Sequence, residues 1–241
     1  ALYARKWDVS ACIAYFQART NTYAPVAVLR EKFEAALAVD GIVGLNIATR
    51  ADCLPPDVVA YLADLADLAE RTDLTVELGL QSSSDVTAER IHRGHTWAQF
   101  LDGYNRLRAA SGKIAVCVHL IFGLPGEDDE TMLQTVRDVA ALRPEQVKLH
   151  LLHVLRETEL EKQWRAGFYQ PLEEPHYIRL LASALELLPP ETVICRLTGD
   201  GSRDDLLAPL WSLRKTAVIN DLDKLLYRES RWQGRLYEVE K

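Results

Sequence analysis

Four cysteines, at positions 12, 53, 117 and 195, are all that this 241-residue chain contains. Separated by 41, 64 and 78 positions, they are too scattered for a metal knuckle and too few for a secreted disulfide scaffold, so reduced thiols are expected. No apolar stretch reaches the roughly 20 residues of a membrane span. Residues 1–7 lack the basic, apolar and small segments of a signal peptide, and the expectation is a cytoplasmic chain with no membrane partner. Positive charge is short as well: 28 Lys plus Arg stand against 35 Asp plus Glu, for a net −7. An acidic body excludes a broad phosphate-binding face and, with it, non-specific duplex DNA binding. Residues 196–241 run slightly the other way, nine basic side chains against eight acidic ones, which leaves room for a local basic strip. With 12 Gly, 10 Pro and 48% hydrophobic residues the composition is that of a globular protein with one large core or two small ones.

Six short β-branched runs read as strands: 13–18, 42–48, 74–80, 114–121, 146–152 and 192–197. Helical patterns separate them, at 26–38 with Leu29, Phe33 and Leu37 on one face, and after Pro56 with Val58, Val59, Leu62, Leu65 and Leu68. Further helices are predicted at 97–110, with Thr96 as cap, at 129–142, capped by Asp128, and at 158–166, 176–188 and 214–231. The spacing of strand starts, 29 to 46 residues, is that of βα units around a parallel sheet.

Buried parallel strands usually read as apolar on both faces. Here one face is polar: Tyr15 and Gln17, Asn46 and Arg50, Thr75, Glu77 and Gln81, Cys117 and His119, Lys148 and His150, Arg196 and Thr198. Six strands that aim polar groups the same way predict a curved sheet with its chemistry on the concave side, near strand C-termini.

Several residues on that face carry two readings. Glu77 is costly in mid-strand unless solvated in a pocket or paired, with Arg50 or Lys148 as partners. The turn Gly123-Leu124-Pro125-Gly126-Glu127 opens a helix and either lets a polar ligand approach backbone N–H groups or simply reverses the chain. His119, His150 and His153 with Cys117 are candidate metal ligands or hydrogen-bonded pocket groups. Arg50 and Asp52 could bind a carboxylate and a hydroxyl, or each other. Arg203, Arg214, Arg228, Arg231 and Arg235 with Trp211 and Trp232 form either a base-stacking surface or a solvated helix face.

Taken in order, the runs 13–17 and 20–25, Thr49-Arg50, Glu77-Leu78-Gly79-Leu80-Gln81-Ser82, Arg93-Gly94-His95-Thr96, Gly123-Leu124-Pro125-Gly126-Glu127, Lys148 to Val154 and Arg196-Leu197-Thr198-Gly199-Asp200-Gly201 resemble a bacterial radical SAM branch akin to the radical SAM domain of the elongator catalytic subunit. The resemblance covers nearly the whole chain. It implies an α/β partial (β/α)6 TIM-like barrel holding a 4Fe-4S cluster and S-adenosylmethionine (SAM), with a 5′-deoxyadenosyl radical taking hydrogen from a small molecule or RNA and a flavodoxin or ferredoxin as electron donor. By the same resemblance Gln17 contacts the methionine amino group, Glu77 and Gln81 the ribose and methionyl region, and Gly123, Leu124, Pro125 and Gly126 the adenine. Asn46, Arg50 and His119 complete the cofactor side, and Lys148 and His150 take the catalytic, substrate-facing positions.

The family holds its cluster with CxxxCxxC after the first barrel strand, and this chain has no such motif. The expectation is that the first strand and cluster loop are missing, that the chain alone is inactive, and that the cluster ligands lie outside it. Proline would also be expected at Ala51 and Ser202, and a polar residue at Phe122. The division expected is a barrel at 1–190 and a C-terminal strand and helix extension at 191–241. Two other readings compete: a metal-dependent barrel lyase or hydrolase using Glu77, His119, His150 and Lys148, and a non-catalytic scaffold.

Overall fold

A computed structural model describes residues 11–17, 19–68, 73–199, 201 and 203–238; Ala18, Asp200 and Ser202, named above, lie outside them. The fold is α/β, of the partial TIM-like barrel class, with six parallel strands in the order β1 (Cys12–Phe16), β2 (Ile42–Thr49), β3 (Asp73–Gln81), β4 (Ala115–Phe122), β5 (Gln146–Leu151) and β7 (Val193–Arg196). Packing groups the chain into two compact units, residues 1–80 with 97–117 and residues 81–96 with 118–241.

In the first unit, β1 to β3 carry α1 (Val26–Leu37), α2 (Pro56–Leu68) and α4 (Trp97–Ala110). The predicted stripe of α1 is buried at Leu29 and Phe33, and Phe33 meets the Phe16 ring edge-on at 4.9 Å and stacks on Tyr61 at 6.4 Å. Val58, Val59, Leu62 and Leu65 of α2 are buried as the periodicity requires. Removing each such side chain from water stabilises the fold by roughly 2 kcal/mol. Strand β2 shows why one face could be read as apolar: Leu45 and Ile47 are fully buried, while Thr49 turns its hydroxyl to Thr22 at 2.5 Å. Ala51, where proline was expected, is buried as the first residue of a short 3-10 turn, Ala51–Cys53.

The second unit holds α3 (Asp85–Arg90), α5 (Asp129–Leu142), β6 (Val154–Leu155), α6 (Glu159–Arg165), α7 (Glu174–Leu187), β8 (Leu206–Ala208) and α8 (Lys215–Glu229). Asp128 caps α5 as predicted, accepting from the Thr131 N–H at 2.9 Å. Helix α3 was not predicted. Ser84 caps it through the Thr87 N–H at 3.3 Å, but six residues are too few to show a helical period. The antiparallel β6–β8 pair was missed for the same reason, since strands of two and three residues display no alternation. Phe122, expected to be polar, belongs to the core and meets the fully buried Tyr177 ring edge-on at 6.4 Å.

The C-terminal basic strip resolves into ion pairs. Arg214 binds Glu174 at 2.7 Å, and the buried Glu186 carboxylate takes Arg231 at 2.7 Å and Arg235. Trp211 donates its indole N–H to the Leu172 carbonyl at 3.1 Å. Arg231 and Arg235 thus form an intramolecular clasp on Glu186, and Arg214 is paired with Glu174.

Candidate functional site

Polar residues of the first unit line up because β1, β2 and β3 are parallel and in register. Tyr15 sits beside Asn46, and Asn46 beside Thr75, with Glu77 one pleat further along β3. Glu77 is almost completely buried, at 1% exposed. A carboxylate in that position needs donors. Its oxygens accept from the Tyr15 hydroxyl at 2.7 Å and from the Asn46 side-chain amide at 3.4 Å. A phenol and an amide from the two preceding strands supply these two bonds. The buried Cys117 brings its sulfur within 4.8 Å of a Glu77 oxygen.

Arg50 follows β2 and forms a two-point pair with Asp52, at 2.9 and 2.5 Å, which holds the guanidinium above its usual pKa. Of the two readings of this stretch, the structure shows the mutual pair. Gln17 lies exposed just beyond the end of β1.

In the second unit the turn from Gly123 to Glu127 is held from several sides. The Gly123 N–H reaches the Met132 sulfur at 3.1 Å, and its carbonyl accepts from the Tyr169 hydroxyl at 2.8 Å. Burial pushes the Tyr169 phenol up to about 12, so it remains a donor throughout the physiological range. Arg90, the last residue of α3, donates to the Pro125 carbonyl at 2.7 Å. Glycine is favoured at 126 by its φ of +81°, and a Cβ there would have to displace the Arg90 guanidinium from the Pro125 carbonyl. Glu127 accepts from Ser82 at 2.6 Å, and burial raises its pKa against the opposing hydrogen bonds of Ser82 and Thr87.

His119 on β4 and His150 on β5 face each other with ring centres 5.3 Å apart and planes tilted 40°. Lys148, two residues before His150, is 8% exposed. Gln81 ends β3 at φ +77°, a left-handed conformation uncommon outside glycine. His153 lies beyond the end of β5, so strand parity does not set its direction.

Sequence reasoning did not find Arg90, Met132 or Tyr169. Each supports the Gly123 turn from a distant segment, and no local pattern announces such a contact. The Ser82-Ser83-Ser84 run was the available signal: it follows β3 directly, and all three hydroxyls engage, with Glu127, Asp138 and the Thr87 N–H.

Comparison with known proteins bears on this arrangement. Residues 3–139 match the profile described as Radical SAM superfamily, and residues 144–228 that of the Radical_SAM C-terminal domain. The chain is 46% identical over 233 residues to protein YtqA of Bacillus subtilis, covering 97% of this chain and 71% of that one. It is 28% identical over 162 residues to elongator complex protein 3 of Bos taurus, covering 66% and 28%. Among solved structures, the archaeal Methanocaldococcus infernus Elp3 with an N-terminal deletion shares the fold at TM-score 0.78 and 18% identity, over 96% of this chain and 57% of that one. The profile over the first 139 residues, the extent of the likeness to YtqA and the partial-barrel fold agree: the chain belongs to the radical SAM superfamily.

Proposed function

We propose that this chain provides the SAM-binding and substrate-facing part of a radical SAM enzyme acting on a small molecule or RNA. Bound SAM would be held by Glu77, Gln81 and the Gly123 to Gly126 turn, and on one-electron reduction would supply the radical chemistry that abstracts hydrogen from the substrate. The observation that carries the reading is the buried Glu77 carboxylate oriented by Tyr15 and Asn46. A fixed buried acceptor of this kind suits ribose hydroxyls, which donate two hydrogen bonds from neighbouring carbons.

The chain's other residues take roles consistent with SAM. The Gly123 to Gly126 turn, held by Arg90 and Tyr169, offers a rigid backbone edge to adenine. In this reading Gln17 and Gln81 serve the methionyl end, with Asn46, Arg50 and His119 supporting the cofactor side. Lys148 and His150 face the substrate, where a buried lysine and an imidazole can hold or move a proton. The cluster is different. The described free cysteines, Cys12, Cys53, Cys117 and Cys195, lie on separate elements and do not form a three-thiolate set. A flavodoxin- or ferredoxin-type protein is the fitting electron donor.

The test is SAM binding to the protein beside its anaerobic reconstitution with iron and sulfide. SAM retention that falls at least tenfold in Glu77→Gln, with 5′-deoxyadenosine released by the reconstituted protein, supports the proposal. SAM binding unaffected by that substitution, or no cleavage by an iron-loaded protein, overturns it. The close Glu77 and Cys117 ligand atoms favour a metal-dependent barrel enzyme as second reading; stoichiometric zinc uptake abolished by Cys117→Ser would select it.

A further inference from the structure

In the second unit the ends of α5 and α7 and the C-terminal tail line a cavity of about 480 Å³, within the range of small-molecule sites. Ala140, Leu187, Leu236 and Tyr237 give it apolar walls, and Arg143 and Glu238 bring charge of both signs. The tail wall is fixed in place. The Leu236 N–H donates to the Glu186 carbonyl at 2.8 Å, and the Gly234 N–H to that of Leu185 at 3.0 Å. Leu236 nevertheless remains 49% exposed, an apolar side chain held in position with one side uncovered.

The charges of this cavity are not equivalent. Arg137 also lines it, but its guanidinium is engaged by Glu130 at 2.7 Å and by Gln134 at 3.0 Å. Arg143 and Glu238 are both exposed, and among the described residues the side chain of neither makes an ion pair or hydrogen bond, with the other or with a third group. Two opposite charges that share a cavity without closing on one another leave a gap that a group carrying both signs fits. Arg143 also ends α5 in the left-handed conformation, at φ +52°, a place that glycine usually takes. An outlier of this kind points to a use for the side chain.

We propose that this cavity binds an apolar α-amino acid as its zwitterion, the carboxylate on Arg143, the ammonium on Glu238 and the side chain against Leu187 and Leu236. The guanidinium fork matches a carboxylate at two points. The ammonium gains a second time, because α5 and α7 both end at the cavity, at Leu142 and Leu187, and helix C-termini carry partial negative charge. A simple organic anion fits less well, since it meets the Glu238 carboxylate as a like charge. A nucleic-acid backbone needs a track of several cations, and here one is unengaged. The site stands apart from the radical SAM reading and does not depend on it.

The experiment is calorimetric titration of the protein with L-leucine, L-methionine and L-phenylalanine at low salt. N-acetyl-leucine, which lacks the ammonium, and leucine amide, which lacks the carboxylate, are titrated beside them, and SAM serves as competitor. Saturable binding of at least one amino acid to one site, weakened at least tenfold in both Arg143→Gly and Glu238→Gln and unchanged in Lys224→Gln, supports the proposal. Lys224 lies outside the cavity, exposed and paired with Asp221 at 2.8 Å. Glycine suits the φ of +52° at 143, and Glu238 is exposed, so both replacements leave the fold intact. Both leucine derivatives are expected to bind at least tenfold more weakly than leucine. No binding of any of the three amino acids by the wild type, or equal binding by all variants, overturns the proposal. N-acetyl-leucine binding as tightly as leucine also overturns it, by assigning Arg143 to a plain anion. Displacement of the amino acid by SAM overturns it by placing that amino acid in the cofactor site.

Discussion

The Tyr15 hydroxyl donates to Glu77 at 2.7 Å across 62 residues of sequence, reaching from β1 to β3 beside the intervening Asn46. A phenol two strands away thus fixes the direction of a buried carboxylate.

Tyr15→Phe removes that donor and leaves the ring in place. A hydrogen bond to a charged group contributes about 1.5 kcal/mol or more, so SAM affinity is expected to fall about tenfold, with the fold retained. Equilibrium dialysis with SAM checks it, and an affinity matching the wild type would show that Glu77 is oriented without Tyr15.

Glu127 gives a dependence on pH. Burial raises its folded pKa above the unfolded value of 4.5, so the native state holds the proton longer than the unfolded state. Stability from this group is present below 4.5 and declines as pH rises through the folded pKa. Glu127→Gln removes the decline while keeping an acceptor for Ser82. Urea midpoints at pH 4 and pH 7 are expected to move in favour of the variant at the higher pH; parallel midpoints count against the raised pKa.

His153 works in the opposite direction. Its folded pKa lies below 6.5, so on acidification the unfolded chain takes up the proton first and stability drops below about pH 6.5. His153→Gln should flatten the loss between pH 7 and pH 5.5. Identical slopes in thermal melts of the two proteins would rule out a buried neutral imidazole.

Glu186 is 2% exposed and takes two arginines. Burial pushes its pKa up, but the bonds from Arg231 and Arg235 outweigh that and hold it below its ordinary value, so its contribution is present above pH 4.5 and fades as pH falls through the folded pKa. Glu186→Gln is expected to cost roughly 3 kcal/mol at pH 7, as for a broken buried ion pair. Denaturant unfolding measures it, and a cost within experimental error of zero would show the clasp contributes nothing.

The strands and most helices were legible because their signals are local. Leu29 and Phe33 repeat at helical spacing and are buried together, and Asp128 announces its helix one residue ahead. Glu77 was legible as a costly mid-strand carboxylate, but its partners were not. Alternation tells which face a residue shares, whereas register, set by how β1 pairs with β2, tells that Tyr15 and Asn46 are the ones within reach. The Arg90 support of the Gly123 turn was invisible for a related reason: its 35-residue reach depends on α3, a helix too short to display a period.

The C-terminal clasp constrains handling of the protein. The Gly234 and Leu236 N–H groups satisfy the Leu185 and Glu186 carbonyls at 3.0 and 2.8 Å, and the Gln233 amide reaches Pro189 and Thr192, both at 2.7 Å. Leu185 and Glu186 belong to the last turn of α7, where helix carbonyls run short of intrahelical partners, and Pro189 and Thr192 to the segment that follows it. Shortening the gene to remove an apparently dispensable tail beyond Glu229 would strip the cap from a core helix, so an affinity handle belongs after Leu236, behind a spacer, and trypsin should find Arg231 and Arg235 poor cleavage sites until the clasp opens.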